Sequence, residues 1–447
     1  MSNRFRNFLK TLGPGILFAS TAIGVSHLVQ STRAGAAFGF ALIPIILAVN
    51  LFKYPFFEYG SRYANATGES IIDGYKRIGK WMLWLYFLIT LGSMFFVCAA
   101  VGAVTSGFLQ NLFGVTDWGI WFTIALFLIS GTILFLGKYG FLDSLIKIIG
   151  SVLLVSTLFA FVLALSKGPN PGFEGFEGPN IWENSSMVFI IALMGWMPTA
   201  VDLSAWTSLW TIERIKQTGY RPSLKETLMD FNFGYLVSSL LAICFVTLGA
   251  YMLFGSGQEL PDGSGAFAHS IIGLFTGFIG EWSYIIIAIA AFSIMFGTCI
   301  AVFDGYSRSI ERTVDLLFIQ EDLPDVAKAD ASTLDSDIVE TSLDNNTKKV
   351  LPTTNIYKIA LSIVIIGAFG IVYFFGKHLK TLVDLATTIS FLIAPVIAIV
   401  NFRLVTGRYI GKEAHPKMWL KVLSILGIIF ITGFACYFVW IKFIVTE

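Results

Sequence analysis

Eleven runs of mostly apolar residues, each roughly 17–25 residues long, follow one another along the chain. Their approximate cores are residues 13–35, 39–60, 81–110, 119–136, 144–166, 187–207, 231–254, 282–303, 356–375, 382–404 and 420–443. Runs of that length predict membrane-crossing helices, because about 20 apolar residues are needed to span the hydrocarbon layer. Three of the segments between them stand out. Residues 167–186 are rich in Gly, Pro and aromatics and predict an outer cap between two halves of the chain. Residues 255–265 form an outer turn, followed by AFAHSIIGLFTGF, a candidate interfacial helix. Residues 320–355 are the one long polar segment, read as a flexible cytoplasmic loop.

Two of the apolar runs are interrupted in the middle. In 13–35 the patch Ala22-Ile23-Gly24-Val25-Ser26-His27 is small and polar at about mid-membrane depth. Gly weakens a helix and Ser competes for its backbone, so the helix is expected to open there. In 190–206, Gly195 and Met197-Pro198-Thr199 interrupt a second run. A broken helix inside a membrane persists only where its freed N–H and C=O groups line a cavity or a ligand. Two such breaks, in corresponding positions of two halves, point to a transporter binding site.

Composition agrees with a multi-pass membrane protein: 55% of residues are hydrophobic and 13% charged, about half the charged share of a soluble domain. A net charge of +1 gives no sign of a nucleic-acid partner, and none is expected. Cys98, Cys244, Cys299 and Cys436 lie in apolar runs without CxxC spacing and are read as packing residues. The basic N-terminus precedes no convincing cleavage site, so the first run is read as a retained span. Lys and Arg concentrate in alternate loops: Arg62, Lys76, Arg77 and Lys80, then Lys138, Arg214, Lys216, Arg221 and Lys225, then Arg308 and Arg312, then Arg403, Arg408, Lys412 and Lys417. That asymmetry places the N-terminus in the cytoplasm and the C-terminus outside, with Lys377 and Lys380 as exceptions.

Ionisable residues within spans are few, and each is a functional candidate. Glu58 can reach Arg62 at i+4, and Asp143 can reach Lys147, as structural pairs. Lys53, near Asn50, has no partner at i±4, and Asp202 is the first carboxylate to try for it. Asp304 and Arg308 share one face of the eighth span; Asp384, Thr387 and Thr388 share one face of the tenth. The third span contains no carboxylate. No segment offers a nucleophile–base set or a cluster such as HExxH, so no enzyme activity and no cofactor are expected.

The run from Gly13-Pro14-Gly15 to Ala34-Gly35-Ala36, then Ser61-Arg62-Tyr63-Ala64-Asn65-Ala66-Thr67-Gly68, resembles the first two spans of NRAMP transporters. Met197-Pro198 is similar to the start of that family's Met-Pro-His-Asn motif in the sixth span. The resemblance covers essentially the whole chain. It implies an all-α LeuT-type fold, a 5+5 inverted repeat plus an eleventh span, whose broken first and sixth helices bind divalent manganese or iron with proton coupling. The family's first-span motif, Asp-Pro-Gly-Asn, falls on Gly24, Val25, Ser26 and His27, so Gly24 replaces the metal-binding Asp and His27 the Asn. In the sixth span Thr199 and Ala200 replace His and Asn. The acidic third-span residues of the family's proton route are missing here.

The reading is therefore one transporter domain over residues 1–447, working by alternating access in a bacterial inner membrane. Its substrate site comprises Thr21, Gly24, Ser26, His27, Met197 and Thr199, with the hydroxyl of Ser20 nearby. Lys53 and Asp202 are charge or coupling candidates, and His27 and Met197 the donors for any metal. Imidazole and thioether suit a transition metal better than calcium or magnesium. The cargo is a metal ion by resemblance, carried by an altered site that puts ordinary manganese or iron transport in question. The alternatives are a small organic solute or anion on the same fold, and a non-transporting receptor. Oligomeric state is left open.

Overall fold

The computed structural model describes residues 13–115, 119–136, 139–319, 355–375 and 378–445. Within them, each of the eleven apolar runs is helical, and no strand occurs. Six helices are each long and apolar enough to cross a membrane: Lys80–Phe113, Leu224–Leu253, Glu281–Ile319, Asn355–Phe375, Leu379–Thr406 and Met418–Ile444. The first and sixth spans are each two shorter helices, Pro14–Ala22 with Thr32–Phe38 and Asn184–Gly195 with Leu203–Thr218. Each therefore opens a set of five spans. Residues 320–354 of the polar segment lie outside the described residues, as do the side chains of Asp143 and Lys147.

Hydropathy underestimates the helices that end in ion pairs. The eighth span, expected to stop near 303, continues as Tyr284–Val314. Its polar end is held by Arg308 Nε on Asp304 Oδ2 at 2.6 Å, by Tyr357 on the same carboxylate at 2.7 Å, and by Arg312 bridging Asp73 and Asp315. Asp73 belongs to a short helix, Ile71–Ile78, that span counting misses. A reciprocal Ser70/Asp73 capping box starts it, satisfying two of the N–H groups a helix start leaves open. Glu58 and Arg62 pair as their spacing predicts, 2.5 Å apart.

Residues 167–186 and the helix that follows 255–265 pack against the bundle. Asn170 donates to the carbonyls of Tyr251 and Phe254, and Phe173 and Phe176 pack edge-on against Phe254. The helix Ser264–Ile279 buries Phe267, Ile271 and Phe275 and lies against the third span, where Gly107 admits its backbone. A Cβ on Gly107 would fall 2.3 Å from Ser264 O.

The seventh span, Leu224–Leu253, runs alongside the first in backbone contact at both ends. A Cβ on Gly15 would lie 2.0 Å from Asp230 O, and one on Gly234 would lie 2.0 Å from Gly15 O. At the other end, a Cβ on Gly35 would lie 2.0 Å from Val246 O, and one on Gly249 would lie 2.3 Å from Thr32 O. Asp230 also accepts hydrogen bonds from the N–H groups of Gly13 and Gly15, at 3.4 and 2.7 Å. That carboxylate caps the positive end of the first helix.

Candidate functional site: two helix breaks

The first break is narrow. Helix ends at Ala22, Ile23 and Gly24 leave it, and from Ser26 to Ser31 the chain resumes in a wider π-helical turn. Hydroxyls support that turn by reaching carbonyls five residues back: Ser31 Oγ to Ser26 O at 3.1 Å and Thr32 Oγ1 to His27 O at 3.5 Å. The carbonyl of Ala22, expected to be free, is covered by Ser26 Oγ at 2.5 Å and lies 2.9 Å from His27 Nδ1. His27 Nε2 lies 2.8 Å from Ser238 O of the seventh span. Both ring nitrogens thus face a carbonyl, and a neutral imidazole, with one N–H, donates to only one of them. Nδ1 also lies 2.8 Å from Ser26 Oγ.

The remaining first-span candidates also bond locally. Thr21 Oγ1 donates to Leu17 O at 2.8 Å, and Ser20 O receives the hydroxyl of Thr298 at 3.2 Å. Thr298 stands beside Gly24, where a Cβ would meet its methyl at 2.9 Å and its hydroxyl at 3.0 Å. The eighth span thus fills the place that a side chain at position 24 would take.

The sixth-span break is longer, running from Trp196 to Asp202 between the two half-helices. Its anchors come from other spans. Trp196 Nε1 donates to Ser390 Oγ of the tenth span at 2.8 Å. Gly195 touches the same span so closely that a Cβ would fall 2.0 Å from Thr387 O. Lys53 enters from the second span, fully buried, and its Nζ donates to Met194 O at 3.0 Å, Gly195 O at 2.9 Å and Thr199 O at 2.8 Å. The sequence pointed Lys53 toward Asp202, but Asp202 Oδ2 instead accepts from Tyr306 OH at 3.0 Å. Helix dipoles explain the separation. The ammonium sits on the carbonyl end of Asn184–Gly195, and Asp202 at the N–H end of Leu203–Thr218, each at the pole that favours its charge.

Of the candidates, the structure brings Lys53 and Thr199 together at the sixth break, and Ser26 and His27 together at the first. Met197 is fully buried within the sixth break, whereas both nitrogens of His27 are engaged by the first and seventh spans. Among the described residues no group of three or more His, Cys, Asp or Glu is placed to hold a metal ion.

Toward the end of the bundle beyond the first break, Arg33 makes a two-pronged pair with Asp384, at 2.6 and 2.9 Å. Gln30 receives Arg33 on its oxygen at 2.8 Å and gives its amide to Asp384 at 3.0 Å. The guanidinium also lies 4.9 Å from the centre of the Phe189 ring on the sixth span. Sequence reasoning grouped Asp384 with Thr387 but missed Gln30, Ser238, Asp230 and Tyr306. An uncharged residue, or a carboxylate or tyrosine on a distant helix, carries no local signal of such a role.

Two broken helices within a bundle that is all-helical among the described residues make a fold of the LeuT type. The chain belongs to the Nramp family: the family model described as natural resistance-associated macrophage protein-like matches residues 15–302. It is 32% identical to the uncharacterized protein PM0681 of Pasteurella multocida, over 96% of this chain and 91% of that one. It is 25% identical to the divalent metal cation transporter MntH of Latilactobacillus sakei, over 57% of each. A crystal structure of the Eremococcus coleocola manganese transporter superposes with a TM-score of 0.70 at 14% identity, covering 98% of this chain and 87% of that one.

Proposed function

We propose that this chain is a secondary transporter that moves a small organic solute of no net charge by alternating access, through a site between Thr21–His27 and Gly195–Thr199. The observation that carries the reading is charge balance. Lys53 and Asp202 offset each other at the sixth break, and Arg33 and Asp384 offset each other beyond the first. A divalent cation entering such a site finds no uncompensated negative charge, and an ion desolvated without a partner costs several kcal/mol. An uncharged or zwitterionic solute meets no such penalty. The relatives named as divalent metal transporters and the retained Met197 favour a second reading, a transition metal held through a changed ligand set that includes Met197 and His27. Distribution of Lys and Arg supports a cytoplasmic N-terminus. With no carboxylate in the third span, proton coupling through that span is not expected.

Proteoliposome uptake tests the reading. Manganese flux is expected at least tenfold below that of a MntH control under the same gradient, while a screen of zwitterionic and uncharged metabolites yields a saturable current or flux. Manganese uptake equal to the control would overturn it.

A further inference from the structure

The carbonyls opened by the sixth-span break form a cage. Met194 O, Gly195 O and Thr199 O converge on one point at 2.8–3.0 Å, and that point is occupied by Lys53 Nζ. The spacing is that of N–H···O hydrogen bonds, wider than the roughly 2.0–2.1 Å of magnesium or the roughly 2.3–2.6 Å of calcium to oxygen. An ammonium has three donors and no acceptor. All three donors of Lys53 are matched by these carbonyls, so none remains for a solute. The lysine here is an occupant of the site, not one of its ligands.

We propose that the broken sixth span is a cation cage whose bound cation is this chain's own Lys53 ammonium, tethered by its stem to the second span. The stem passes Phe57, whose ring centre lies 5.9 Å from Nζ, and it shares no solvent-exposed surface. The carbonyl pole of Asn184–Gly195 and the Asp202 carboxylate supply the negative potential that holds a positive charge here. The cage then needs no dissolved cation, because its three carbonyls are already engaged. A cation can enter these carbonyls only after the lysine is removed, and a primary ammonium, with three N–H donors, matches the three acceptors.

The proposal deepens the transport reading at the same site. Its test reads binding and not flux, so either can fail alone. The full chain is reconstituted in nanodiscs as wild type, Lys53→Ala and Lys53→Met, and thermal midpoints are recorded against propylammonium, the part of the side chain that the alanine variant lacks. Lys53→Ala is expected to unfold about 10 °C below wild type and to regain at least half of that, saturably, in propylammonium. Propanol, which fills the same space without charge, is expected to restore nothing, and the wild type is expected not to respond. The proposal is overturned by an alanine variant that folds but ignores propylammonium, by equal rescue with propanol, or by an equal response of the wild type. Should Lys53→Ala not fold, Lys53→Met decides. It keeps the stem and removes the charge, so it is expected to melt well below wild type, and a methionine variant as stable as wild type overturns the proposal.

Discussion

At the first break the loosened backbone is closed chiefly by side chains of the same segment: Ser26 covers Ala22 O, and Ser31 and Thr32 reach the carbonyls behind them. At the sixth break the closure comes from elsewhere, with Lys53 from the second span, Ser390 from the tenth and Tyr306 from the eighth. One break is local and nearly neutral; the other is long-range and built on charge. Local closure moves with its own helix. Closure from neighbouring spans ties the sixth span's middle to three other helices at once. The sixth break is accordingly expected to be the more sensitive of the two to substitution, and the glycines beside each break offer the sharpest contrast.

Gly195→Ala directs a methyl at a backbone oxygen that cannot rotate away, and is expected to cost about 3 kcal/mol or more. Gly24→Ala meets only the Thr298 side chain, and is expected to cost about 1 kcal/mol. Size-exclusion profiles and thermal midpoints of the two variants compare them directly, and equal stability would erase the distinction. Asp202→Asn comes next, expected to cost about 2 kcal/mol because the Lys53 charge loses the Asp202 counter-charge while Tyr306 keeps an acceptor.

A third variant set addresses the cargo. Gly24→Asp restores the family carboxylate, yet with Lys53 intact it is expected to leave manganese binding unmeasurable by titration calorimetry. Gly24→Asp combined with Lys53→Met is expected to gain at least tenfold, about 1.4 kcal/mol. Gain from Gly24→Asp alone would show that the fixed charge at the sixth break is irrelevant to metal entry. The smallest effect is expected from His27→Asn, about 1 kcal/mol, since Ser26 continues to cover Ala22 O. A loss exceeding that of Asp202→Asn would reverse the ranking of the two breaks.

Much of this architecture was legible because apolar run length and Gly/Pro interruption are local signals. Each of the eleven runs they located is helical among the described residues, and the two breaks lie within a few residues of where they were placed. The i+4 pair Glu58–Arg62 was legible for the same reason. What sequence could not supply were partners chosen by folding. Lys53 was recognised as a charge in need of compensation, but a carbonyl carries no residue identity. Its acceptors, Met194, Gly195 and Thr199, could therefore not be read from composition or spacing. The eighth span's length was missed because its last turns are polar and held by ion pairs. At Gly24 the sequence registered a lost carboxylate. That Thr298 had filled the space was visible only once the eighth span was in place.

The glycine contacts between the first and seventh spans carry a consequence for motion. The seventh span is unbroken and touches the first on both sides of its interruption, through Gly15 and Gly234 at one end and Gly35 and Gly249 at the other. It therefore acts as a splint across a fracture. Neither half of the first span can swing about Ile23–Gly24 without prising one of those backbone contacts apart, and His27 bonded to Ser238 is a rivet near the middle. The gap in the first span is thus a hinge whose leaves are both fastened to the same bar. Opening at one end must begin with release of that end's glycine seam, while the other seam stays shut as the pivot.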